Sequence, residues 1–80
     1  MFRLIYDPGV DSLHDQLPPA VSRTLTVALE AACHDPIGHT APRGQADEWN
    51  RQIQIDGAHA MIFVSYGQKT LAVLDIFDLS

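Results

Sequence analysis

Basic side chains are scarce: five lysines and arginines stand against ten aspartates and glutamates, a formal net charge of −5. They are Arg3, Arg23, Arg43, Arg51 and Lys69, no two adjacent, so no local patch overrides the field that repels a polyphosphate backbone. Generic nucleic-acid binding is therefore disfavoured. Cysteine is nearly absent. Cys33 alone forms no internal disulfide and does not by itself make a zinc site, which fits the reducing cytosol and a cytoplasmic protein. Its expected place is in the core, as a small apolar residue. His14, His34 and His39 show no ligand spacing with one another or with Cys33, so neither a metal nor another cofactor is expected. No apolar run approaches the ~20 residues that span a bilayer, and the start has no basic segment followed by an apolar one. Membrane association and export are not expected. A nucleophile motif, a phosphate loop and a paired-carboxylate constellation are missing too, which excludes the commoner small-enzyme chemistries.

What is there suits one folded domain over residues 1–80. An apolar fraction of 46% with 19% charged residues is ordinary for a packed chain. A core this small buries only about 60% of the unfolded surface, so completion by a partner or a second copy is a standing expectation. Phe2 to Tyr6 alternates with the period of a strand covered on one face, and Asp7-Pro8-Gly9 ends it. Val10, Leu13 and Leu17 have helical spacing over a short segment, with Asp7 available as its cap. Pro18 and Pro19 suit the first turn of a longer helix whose apolar stripe is Val21, Leu25, Ala28, Leu29 and Ala32. That helix must stop by Asp35-Pro36, and His34 in its last turn faces the carbonyl end of the dipole. Residues 37–47, with Gly38, Pro42 and Gly44, read as a loop. Three strands follow: 49–55, 59–66 and 70–77. Asp56-Gly57 predicts a type I′ turn and Gly67-Gln68 a type II′ turn, so both joins are antiparallel hairpins. The apolar run 60–64 marks the middle strand as central.

The expected class is α+β: an N-terminal strand, two helices packed on an antiparallel sheet, and a C-terminal three-stranded meander. This order resembles the RelE/ParE toxin superfamily across nearly the whole chain. The features that carry the resemblance are Tyr6-Asp7-Pro8, Leu17-Pro18, Asp35-Pro36, Arg43-Gly44 ahead of the sheet, the hairpin from Trp49 to Phe63, and the closing strand 71–74. It implies the toxin of a type II toxin–antitoxin pair, bound by an antitoxin protein. The RelE branch cleaves mRNA at the ribosome and the ParE branch poisons DNA gyrase.

Ribonuclease chemistry in the RelE branch needs cations near the scissile phosphate and a proton donor. The resemblance puts Arg51 on the first meander strand at one such position, with Arg43 ahead of it. On the second strand, where the family reads Tyr-Arg-apolar-apolar-Tyr, this chain has His59-Ala60-Met61-Ile62-Phe63. Alanine stands in the arginine's place; a hairpin shifted by one residue would put His59 there, and histidine can serve as acid or base. Asp75 and Asp78 stand where the family adds an arginine- or histidine-tyrosine segment. The catalytic candidates are thus Arg51, His59 and Arg43, and a phosphate site requires all three on one concave surface.

Plainer roles compete at each position. Arg51 is expected in a surface ion pair with Asp47, Glu48 or Asp56, Trp49 as a lid on the core, and Asp75 facing solvent beyond the sheet. The function that competes with a toxin is a non-catalytic binding module of the same fold, as a homodimer or as part of a larger complex.

Overall fold

The computed structural model describes all residues, 1–80. Strand β1 (Arg3–Tyr6) half-buries Leu4 and Tyr6 and exposes Arg3 and Ile5, following its alternation. At Gly9 the backbone takes φ +85°, a left-handed geometry natural to glycine. The Val10 N–H reaches back to the Asp7 carbonyl at 3.0 Å, and α1 (Val10–Asp15) begins. The expected Asp7 side-chain cap does not form. Gly9 holds the cap position, which leaves Asp7 too far back to reach the first-turn amides.

Helix α2 (Pro19–His34) opens on Pro18 and Pro19, whose missing N–H groups are those a first turn leaves unbonded. It buries Leu25, Leu29, Ala32 and Cys33, with Val21 and Ala28 half-buried beside them. Leu25 and Leu29 are fully enclosed, each contributing about 1.5–3 kcal/mol of transfer free energy. The Asp35 N–H closes the last turn on the Ala31 carbonyl at 3.1 Å, and Pro36 prevents continuation.

Four strands follow: β2 (Ala41–Pro42), β3 (Asn50–Ile55), β4 (Ala58–Ser65) and β5 (Thr70–Asp78). The sheet order is β1-β5-β4-β3-β2, with β4 in the middle as its apolar run required. Strands β3, β4 and β5 form the antiparallel meander. Strand β1 joins β5 in parallel, Leu4 opposite Leu71, so the five-stranded sheet is mixed; the chain from β1 to the meander crosses over through both helices. Strand β2 arises inside the segment read as loop, Pro42 opposite Arg51 and Ala41 opposite Gln52.

Both tight turns differ in type from the sequence expectation. Only Gly57, at φ +98°, is left-handed in the first, whereas a type I′ turn needs both central residues so. In the second, Ser65 pairs with Thr70, making a four-residue loop in which Lys69 rather than Gly67 takes positive φ, at 56°. Lys69 Nζ lies 5.3 Å from the Phe2 ring centre.

Ala58, Ala60, Ile62 and Val64 of β4 meet Leu71, Val73 and Ile76 of β5 and the leucines of α2 in one core. Cys33 belongs to this core, as its expected role required. Intervening residues His59, Met61 and Phe63 point to the opposite, open face of the sheet. Midway along its length β5 bulges: Met61 pairs with Asp75 and Ile62 with Val73, leaving Leu74 as the extra residue. No helix is long and apolar enough to cross a membrane.

Candidate functional site

Two of the three candidate residues, Arg43 beside the β2–β3 edge and His59 on the central strand β4, lie on the open side of the sheet, and the third, Arg51 on β3, lies behind it. Arg51 shares its side of β3 with Ile53, pairs with Ile62, and is 6% exposed. A buried guanidinium must be bonded. Its Nε donates to Thr40 Oγ1 at 2.8 Å, Nη2 to the Thr40 carbonyl at 2.9 Å and Nη1 to the Asp47 carbonyl at 3.1 Å. The expected surface ion pair is therefore replaced by a buried clamp on neutral acceptors. Parity along β3 put Arg51 with the core residues.

His59 lies on the other face, half-buried, its ring 5.9 Å from that of Phe77. Its protonation pattern follows from its neighbours. The Gln52 amide nitrogen donates to the Pro42 carbonyl at 2.8 Å, which turns Gln52 Oε1 toward the imidazole. That oxygen only accepts, so His59 Nε2 carries the hydrogen and donates across 2.7 Å. In the neutral ring Nδ1 is then the nitrogen with a lone pair to offer. Of the two second-strand positions, only His59 presents a side chain on the open face; Ala60 is fully buried.

Arg43 is half-buried beside the same edge. Its Nη2 donates to Asn50 Oδ1 at 3.1 Å and its backbone N–H to the Asn50 carbonyl at 3.0 Å, while Nε is enclosed without a partner. Asn50 is held in turn by Asp47, whose Oδ1 accepts the N–H groups of Trp49 and Asn50 at 2.9 and 2.7 Å and whose Oδ2 accepts Asn50 Nδ2 at 2.9 Å. These bonds, the Asn50 side-chain amide first, hold the Asp47 carboxyl below the usual carboxylate range, and the Arg51 charge adds a smaller push. The turn at Asp47 also fixes Trp49, which remains 51% exposed and is no lid on the core.

Arg43 and His59 thus share the open face, and Arg51 lies behind it. A half-buried guanidinium and an imidazole with a free nitrogen can hold an anion and move a proton. Asp75, expected to face solvent, is half-buried at the bulge and turns its carboxylate onto the Ile76 N–H at 2.8 Å, since a local backbone donor lies within reach there. Two further polar residues emerge only in three dimensions. His14 is buried; its Nε2 donates to the Ser22 carbonyl at 3.0 Å, so Nδ1 accepts the Tyr6 hydroxyl at 2.8 Å, joining β1, α1 and α2. Tyr66 donates its hydroxyl to the Glu48 carbonyl at 2.9 Å, tying the last hairpin to the same segment. Neither pairing has a sequence-local signal. No three histidine, cysteine or acidic side chains converge on a metal-sized site.

No protein-family model matches the chain, and no curated protein matches it in sequence. Solved structures match it in shape. The isolated Escherichia coli RelE toxin superposes with a TM-score of 0.83 at 18% identity, over 100% of this chain and 86% of that one. A chain of the intact Escherichia coli RelBE toxin–antitoxin complex gives 0.82 at 18% identity, over 100% of this chain and 99% of that one. The Mycobacterium tuberculosis RelBE2 toxin–antitoxin complex gives 0.79 at 10% identity, over 96% of each chain. Likeness at such identities is likeness of fold. The fold of this chain is thus the fold seen in these RelE toxin and RelBE complex structures.

Proposed function

We propose that the chain is the toxin of a type II toxin–antitoxin pair, restrained by a cognate antitoxin and acting through the open face of its sheet. The observation that carries the reading is the fold match, at TM-scores of 0.79 to 0.83 over at least 96% of this chain, to a RelE toxin and to two toxin–antitoxin complexes. In this reading Arg43 is the cation and His59 the acid or base for cutting mRNA on the ribosome; a gyrase-directed toxin would use the same face without the proton transfer. With a net charge of −5 and Arg51 withdrawn behind the sheet, the chain brings fewer cations to a phosphate than the chemistry favours. That observation supports a second reading, a binding module that kept the fold without the ribonuclease activity. Induced expression without the partner tests them together. Growth arrest with cut ribosome-bound mRNA, lost in Arg43→Ala and His59→Ala, supports the ribonuclease. Arrest with intact mRNA and trapped gyrase supports the other toxin, and unimpaired growth with both targets untouched leaves the binding module.

A further inference from the structure

We infer that Arg51 is a positioning residue: it locks segment 37–49 onto the sheet so that Arg43 is presented on the open face. This deepens the proposed reading of that face. Its physical basis is a continuous run of hydrogen bonds from one face to the other. All three guanidinium nitrogens of Arg51 are spent on the segment, two on Thr40 and one on the Asp47 carbonyl. Thr40 is tied further back, its hydroxyl donating to the Pro36 carbonyl. From Asp47 the run continues through three bonds to Trp49 and Asn50, and from Asn50 Oδ1 to Arg43 Nη2.

The chemistry suits arginine specifically. A planar fork serves acceptors on two well-separated residues at once, whereas an ammonium on a flexible stem would satisfy one of them. An anion approaching the open face cannot reach Arg51 without breaking these bonds and crossing the sheet. Arg43 depends on the far end of the run: with Nε enclosed and unpartnered, the Asn50 bond sets the direction of its guanidinium. Loosening Thr40 or Arg51 should therefore be felt at Arg43.

The test is amide hydrogen exchange together with the Arg43 Nε–H resonance, in Arg51→Lys, Thr40→Val and Thr40→Ser. Loss of these buried bonds should speed exchange at the Arg43 and Asn50 amides about tenfold or more in Arg51→Lys and Thr40→Val. The Arg43 Nε–H signal should move toward that of solvated arginine, while the Leu71 and Val73 amides keep their wild-type protection. Thr40→Ser, which retains both acceptors, should behave as wild type. Wild-type exchange at Arg43 and Asn50 in both loosened variants overturns the inference. If Arg51→Lys unfolds globally, Thr40→Val decides alone, since Arg51 is intact in it. Toxicity is a separate arm: a harmless chain with the expected exchange pattern refutes the toxin reading and upholds the positioning role, and a toxic chain with unmoved exchange does the reverse.

Discussion

Arg51 and His59 occupy opposite faces of one sheet, Arg51 opposite Ile62 on the core side and His59 bonded to Gln52 on the open side. Their substitutions should separate. Arg51→Ala strands the Thr40 and Asp47 carbonyls in a closed site and should cost about 1–3 kcal/mol. His59→Ala, at a half-exposed position, should cost about 0.5 kcal/mol or less. Urea titrations with unchanged slope measure both. Equal losses would contradict the two-face arrangement.

Gly57 of the first tight turn packs against the Val21 side chain of α2. A Cβ on Gly57 would lie 2.9 Å from Val21 Cγ2, and the residue is already at φ +98°. Gly57→Ala should destabilise by about 1–3 kcal/mol through strain and overlap. Adding Val21→Ala should return the part due to overlap, a non-additive result for residues in contact. Simple additivity in the denaturation midpoints would show that backbone strain accounts for the whole effect.

Much of this architecture was legible in the chain. Helix α2 announced itself through Pro18-Pro19, the apolar stripe and Asp35-Pro36; β4 did so through its unbroken apolar run. The class, the meander and the central place of β4 followed. Long-range pairings did not, because nothing local encodes them: that β1 would lie parallel to β5, that two residues of the 37–47 segment would add a strand, or that Asp7 would offer its carbonyl in place of its carboxylate. Arg51 was half legible. It has the parity of Ile53 and Ile55, which marks the buried side, but its acceptors on Thr40 and Asp47 belong to a loop whose path the sequence pattern leaves open. His59 and Arg43 share a face through a register that only the paired strands define.

The Asp47 turn gives a pH signature. Its carboxyl is held low chiefly by the Asn50 side-chain amide and next by the Asn50 N–H. The charged form is favoured in the folded state, so its stabilisation is complete above the unfolded pKa of about 4 and is lost as pH falls through the lower folded value. Asp47→Asn sets an amide against Asn50 Nδ2, opposing two donors. The difference in Trp49 fluorescence between wild type and Asp47→Asn should therefore be constant from pH 7 to about 4.5 and shrink in stronger acid. A difference that vanishes near neutrality would assign the turn to another group.

Core packing gives the simplest magnitude. Leu29 is fully enclosed between α2 and the sheet, and Leu29→Ala should cost about 2–5 kcal/mol, read from the thermal or urea transition. A loss below about 1 kcal/mol would mean that the helix–sheet interface collapses around the missing methyl groups.

The central claim, a toxin working through the open face, is tested most directly by inducing the chain alone and following growth beside Arg43→Ala and His59→Ala at matched expression. The account predicts arrest by the wild type, relief when the antitoxin is co-expressed, and loss of arrest in both variants while they remain folded. Unimpaired growth of the wild type, or arrest that persists in both variants, would contradict it.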